Sequence, residues 1–181
     1  LAWMDFPGRA IMVAFVVGLL VVPLQLALIP LLRLHLGIGI GKGYLGVWLA
    51  HTGFGLPLAI YLLRNYMVGL PRDIIECAKI DGATDFQIFM KIVLPLSAPA
   101  LAVLAIFSVM WRWNDFLLPL IVLSRSEFFT LQLALNSFQG ELNTQWNYLL
   151  AMTVITLIPI TLVFAFLQKY ITTGIASAGV K

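Results

Sequence analysis

Along this 181-residue chain, apolar residues collect in four long blocks separated by short polar stretches, with little alternation between the two kinds. The blocks run from about Ala10 to Leu32, Tyr44 to Leu63, Val93 to Leu123 and Tyr148 to Leu167. Each reaches about 20 residues or more, the length at which an α-helix crosses the hydrocarbon of a bilayer. The third is too long for one straight span and is interrupted by Arg112, Asn114, Asp115 and Pro119. It is expected to leave the membrane near Trp111–Asp115 and continue as an interfacial or re-entrant segment. Pro23, Pro57 and Pro159 fall inside spans. Carbonyls freed by proline in lipid need a neighbouring helix or a water-filled cavity. The pattern therefore predicts an all-α fold, a polytopic transmembrane helix bundle with four spans in this chain, its prolines read first as plain kinks.

Composition agrees. Apolar residues make up 61% and charged residues 10%, against about 25% charged in soluble domains, and the mean hydropathy is +1.00. The net charge of +3 is small and scattered, which gives no support to nucleic-acid binding. The single cysteine excludes an internal disulfide and supplies no thiolate cluster for a metal. The first residues, Leu1-Ala2-Trp3-Met4, carry no basic n-region, so no signal peptide is read there.

Charges in the polar stretches orient the chain. With the loop between spans two and three in the cytoplasm, the inner side holds Arg9, Arg64, Arg72, Lys79, Lys91, Lys169 and Lys181. The outer side holds Arg33, Lys42 and Arg125. This imbalance follows the positive-inside rule and places both ends of the chain inside. Trp3, Tyr44, Tyr61, Trp146, Tyr148 and Tyr170 fall near span ends, where amphipathic rings are favoured.

That inner loop has a chemistry of its own. Pro71 can open a helix at its first position, where a missing N–H is no loss, with Asp73 and Glu76 near the positive end of its dipole. Ile74, Ile75, Ala78 and Lys79 recur at helical spacing, which predicts a short amphipathic helix. Gly82 stands where a left-handed cap would end it. Thr84 and Gln87 form a capping-box pattern that opens a second short helix, Asp85 to Ile92, before Pro95 at the foot of the third span. Small residues at 77, 78, 82 and 83 leave a face that another protein's groove can receive. On residue types alone, a surface helix that merely anchors the loop in headgroups is an equal reading, although such helices usually carry more Lys and Arg.

The run Glu76-Cys77-Ala78, three residues, Gly82, nine residues, then Ile92-Val93-Leu94-Pro95 resembles the cytoplasmic loop by which membrane subunits of ABC importers grip their ATPase. That family's pattern is Glu-Ala-Ala, three residues, Gly, nine residues, Ile-x-Leu-Pro, and Cys77 is the departure. Arg64–Leu70, Asp81-Gly82-Ala83, Leu94-Pro95-Leu96-Ser97, Trp113-Asn114-Asp115-Phe116 and the ending Gly174-Ile175-Ala176-Ser177-Ala178-Gly179-Val180-Lys181 are similar to the carbohydrate-importer branch. More narrowly, they resemble its smaller, maltose-type permease, which ends in a Gly-Val-Lys tail.

The resemblance implies a type I ABC importer permease fold. Residues 1–181 would form one permease transmembrane domain, with a cytoplasmic coupling loop at about 64–95. Members usually carry six spans, which implies that two N-terminal spans are missing here. It further implies that Glu76, Cys77, Ala78, Asp81, Gly82, Ala83, Leu94 and Pro95 belong to the ATPase-coupling segment. The tail residues Gly174, Gly179, Val180 and Lys181 would reach the ATPase, and Phe128–Tyr148 would face an extracytoplasmic solute-binding protein. The implied partners are a second permease subunit, an ABC ATPase dimer and the lipid bilayer of a bacterial or archaeal cytoplasmic membrane. This chain would be no enzyme and hold no cofactor, with ATP and Mg bound by the partner ATPase. ATP-driven closure of that dimer would move the coupling helices and switch the spans between inward and outward states.

Arg112 and Asp115, three apart, would share a helical face and pair. The pair is read first as capping or bending the third span, and as a functional intramembrane pair second. Trp113 and Asn114 can stack on and hydrogen-bond a sugar, which makes Trp113, Asn114 and Asp115 a candidate substrate path; interfacial packing is the first reading for Trp113. His51, near Thr52 in the second span, is expected to be packed and hydrogen-bonded. Gly37–Gly43 imitates a phosphate loop but has Leu36 and Gly43 where Gly and Ser or Thr are needed. The alternatives to an ATP-driven importer are an ion-gradient-driven secondary transporter, which would favour paired carboxylates or repeated halves, and a membrane anchor subunit.

Overall fold

The computed structural model describes residues 1–40, 43–123, 125–139 and 144–179. The first apolar block forms two helices, α1 (Arg9–Leu20) and α2 (Leu24–Gly37), bent by 99° at the intervening break. A single straight helix over Ala10–Leu32 is thus not what forms; the block is a bent pair. Pro23 has no N–H to continue α1, its ring opposes the carbonyl one turn back, and it disfavours helical backbone at Val22. Pro23 instead takes extended backbone as the N-cap of α2.

The second block forms α3 (Tyr44–Val68), which runs past the expected end at Leu63 and carries Pro57 without interruption. Next come α4 (Arg72–Ile80), α5 (Asp85–Ile88), a wide π turn over Phe89–Val93, and α6 (Leu94–Leu96). From Asp85 to Leu96 these make one rod, longer than the expected Asp85–Ile92 helix. The π turn closes with the Leu94 N–H donating to the Phe89 carbonyl, just ahead of Pro95. A widened turn there keeps the Pro95 ring off the preceding carbonyls. The rod bends by 66° at Ser97 into α7 (Ala98–Trp113).

As expected, the third block then breaks. Asn114 caps α7, and α8 (Leu117–Val122) begins three residues later. A 3-10 turn (Ser126–Phe128) and α9 (Leu131–Ser137) lead to α10 (Trp146–Gly179), which holds Pro159 inside an unbroken helix. Among the described residues no strand occurs, and α3 and α10 are the two unbroken helices long and apolar enough to cross a membrane. The count reaches four only when each bent pair is taken as one span.

Helix α7 lies against both α3 and α10, and α1 packs along α3. The breaks at Pro23 and after Asn114 let α2 and α8 fold back onto the same end of α3. There Leu28, Val47, Ala50, Leu118, Val122, Leu123 and Leu133 form the larger core cluster. Lipid tails are as apolar as these side chains, so close fit rather than expulsion from water holds such a cluster together. Gly46 permits that fit: a Cβ there would stand 2.9 Å from the Ile40 carbonyl oxygen and 3.1 Å from a Val122 methyl.

Candidate functional site

Two places in this framework combine exposure with specific chemistry. The first is the loop from Pro71 to Ser97. Pro71 is the N-cap of α4, one position earlier than expected, with extended backbone that turns the chain into the helix. Asp73 lies in the first turn and Lys79 in the last, each at the favourable end of the helix dipole. At the other end Gly82 takes φ +78°. Its N–H donates to the Lys79 carbonyl and the Ala83 N–H to the Ala78 carbonyl, both at 3.0 Å, the paired closure of a Schellman cap. A Cβ at Gly82 would meet nothing within 4 Å, so glycine is required there by backbone conformation rather than by space.

The expected capping box is formed. The Gln87 N–H donates to Thr84 Oγ1 at 3.3 Å, and Gln87 Oε1 accepts from the Thr84 N–H at 2.9 Å. These caps aim the two short helices at each other, and Ala78, Ile88 and Val93 become buried between them, with Trp3, Met67 and Ile75 packed around. Ala78 is therefore an inward contact and does not belong to the receiving face on which its small side chain suggested it. Cys77, Glu76, Asp81, Gly82 and Pro95 are exposed, whereas Ala83 and Leu94 are half-buried. Ile80 and Phe86, 84% and 72% exposed, flank the Gly82 turn. Sequence reasoning passed over both, although large apolar residues beside polar loop positions were a readable signal.

The second place lies within the bundle. His51 Nε2 and Asp115 Oδ2 stand 2.7 Å apart, joining α3 to the segment after α7. Arg112 donates through Nη2 to the His51 carbonyl at 3.0 Å and through Nη1 to the Ser108 carbonyl at 3.1 Å. Gly55 makes room for it, since a Cβ there would fall 2.2 Å from Nη2. The expected Arg112–Asp115 pair is not formed among the described residues. α7 ends at Trp113, so Asp115 lies beyond the helical period that would have put the two on one face.

Trp113 donates its indole N–H to the Thr156 carbonyl at 3.2 Å, tying α7 to α10, and Asn114 Nδ2 donates to the Met110 carbonyl at 2.9 Å. The fold therefore uses Trp113's single donor and one of the two amide N–H groups of Asn114. A cavity of about 300 Å³ opens beside the polar cluster, with His51, Phe54, Trp111, Arg112 and Asp115 among its lining. In the C-terminal tail, Gly174 and Gly179 continue α10, and Val180 and Lys181 lie outside the described residues.

Residues 2–177 match the family described as the binding-protein-dependent transport system inner membrane component. The chain belongs to this family. Such permeases are multi-pass proteins of the inner membrane, as the apolar helices require. Among curated relatives, the α-glucoside transport system permease protein AglG of Rhizobium meliloti is 54% identical over 187 residues, covering 100% of this chain and 49% of its own length. The osmoprotective compounds uptake permease protein GgtD of Synechocystis is 46% identical, covering 99% of this chain and 61% of its own. The arabinooligosaccharides transport system permease protein AraQ of Bacillus subtilis is 38% identical, covering 100% and 64%. This family chain thus spans about half to two thirds of these relatives' length. The crystal structure of a bacterial ABC transporter involved in the import of the acidic polysaccharide alginate superposes with a TM-score of 0.76 at 24% identity, over 93% of this chain and 64% of that one. The permease fold is shared.

Proposed function

We propose that this family member forms part of the permease of an ATP-driven carbohydrate importer and transmits the state of a separate ATPase to the spans through the loop at 71–95. One observation carries the reading. A doubly capped pair of short helices, packed on itself and joined to α7 through a rod, holds Ile80 and Phe86 out beside the Gly82 turn. Exposed large apolar side chains on an otherwise polar, rigid loop are what a protein groove receives. Rigidity matters because a contact can bias a two-state membrane domain only if its displacement is passed on rather than absorbed.

In this reading ATP and Mg belong to the ATPase dimer, a second permease completes the path, and a solute-binding protein delivers the sugar from outside. The loop and the C-terminus face the cytoplasm. The substrate class is supported by the names of the relatives that act on α-glucosides and arabinooligosaccharides. An ion-gradient-driven carrier draws support from a different feature, the His51–Asp115 pair within the bundle.

Affinity purification of the full-length protein in mild detergent, as wild type and as Gly82→Arg, separates the two. An importer should bring down an ATPase and a second permease, and Gly82→Arg should lose the ATPase or abolish ATP-driven uptake. A side chain at φ +78° costs about 1–2 kcal/mol in the turn, before any clash with a partner. A protein that purifies alone, with transport intact in both forms and collapsed by an ionophore, would establish the carrier.

A further inference from the structure

We propose that the cavity between α3 and α7, walled by Phe54 and Trp111 and polar at His51, Arg112 and Asp115, is a contact station for a neutral, hydroxyl-bearing sugar ring. The inference rests on the carbohydrate-importer reading and moves the substrate contacts away from Trp113 and Asn114. Trp113 spends its one N–H on the Thr156 carbonyl, Asn114 gives one amide N–H to the Met110 carbonyl, and neither lines the cavity. Trp111, by contrast, lines the cavity with 59% of its surface exposed. Its flat apolar face can cover the C–H face of a pyranose, as aromatic walls do in small-ligand pockets.

The polar groups supply the other half of sugar recognition. Arg112 uses only part of its five N–H groups on the two backbone carbonyls. Asp115 gives one oxygen to His51, and its other, 3.5 Å from the Leu118 N–H, is at the limit of a hydrogen bond. His51 Nδ1 has no partner among the described residues. His51 and Asp115 side chains are 17% and 19% exposed, and both line the cavity, where water or a solute hydroxyl can meet the hydrogen-bonding capacity they leave open.

A carboxylate, an imidazole and a guanidinium together offer both acceptors and donors, which matches vicinal hydroxyls, each of which can do both. The guanidinium and carboxylate charges offset one another, so the site suits an uncharged sugar better than an acidic one. At about 300 Å³ the cavity stands at the small end of ligand pockets. It has room for one ring at a time, as a station along a path needs.

The test is ATP-dependent uptake of radiolabelled maltose, trehalose and sucrose into liposomes holding the full-length permease assembled with its other subunits. If the wild-type complex imports none of them and no arabinooligosaccharide, the carbohydrate reading fails and this site falls with it. Where one is imported, Trp111→Ala and Asp115→Asn should each raise KM by about tenfold, the scale of one lost stacking or hydrogen-bonding contact. Trp111→Phe, which keeps a ring, should recover most of that loss. Unchanged KM in both variants, in complexes of normal subunit composition, overturns the site and leaves the importer reading standing. Should the variants fail to assemble, Trp111→Cys decides, on a background in which Cys77 and any further cysteine of the assembly are replaced by serine. The imported sugar should slow its labelling by a water-soluble maleimide, and equal rates with and without sugar overturn the proposal.

Discussion

Gly46 and Gly53 lie two turns apart on α3, yet a methyl group meets different surroundings at each. At Gly46 it would press on the Ile40 backbone oxygen, which cannot swing aside, and on Val122 and His35; at Gly53 it would meet nothing within 4 Å. Gly46→Ala is expected to destabilise the protein by about 1–3 kcal/mol, as overpacking does. Gly53→Ala should stabilise it by up to about 1 kcal/mol through helix propensity. Thermal unfolding midpoints of the two variants in the same detergent check this, and equal shifts would contradict the packing described. Nothing in the local sequence distinguishes these glycines. The same limit applies to Asp115. Its spacing from Arg112 suggested a helical pair, but the helix stops before it, and its partner His51 is 64 residues away in the chain.

The loop elements were the most legible part of the chain because their determinants are local. A glycine that must take positive φ, a Thr and Gln three apart, and a proline at a helix start act through the backbone within one turn of themselves. Which face each helix turns inward is settled differently. Ala78 is buried because α5 and the π turn lie over it, a fact of how two elements meet that no window of residues contains. The exposed rim left over makes a prediction at this scale. Ile80→Asp and Phe86→Asp should leave the thermal midpoint of the isolated permease within a degree or two, since exposed positions tolerate polar groups. Each should weaken ATPase binding roughly thirtyfold, the effect of losing an anchor worth about 2 kcal/mol. Titration of detergent-solubilised permease with its ATPase measures it, and undiminished binding in both would remove the docking role of this rim.

At the scale of the whole molecule, most large apolar side chains of α1 and of α10 as far as Lys169 point outward, as expected of helices covered by lipid or by other membrane helices. The distribution of Lys and Arg sets the direction in which such a bundle sits. Cys77, exposed on α4 and the single cysteine of this chain, reports it. With any further cysteines of the full-length protein replaced, a membrane-impermeant maleimide should label Cys77 in inside-out vesicles and not in right-side-out cells. Labelling from the outside would invert the topology and place the loop out of reach of any cytoplasmic ATPase.

The membrane class, the all-α architecture and the caps of the loop at 71–95 follow from the sequence by itself, because hydropathy over about 20 residues and backbone chemistry over four are short-range properties. Family kinship was likewise written in the spacing from Glu76 to Pro95. Tertiary structure alone decided how sharply Pro23 turns the first block, since a missing N–H marks a break but neighbouring helices choose its angle. It also decided that α8 folds back into the core, and that His51, Arg112 and Asp115 converge on one cavity. Contacts between residues far apart in the chain depend on how whole helices pack, and only the folded bundle sets that.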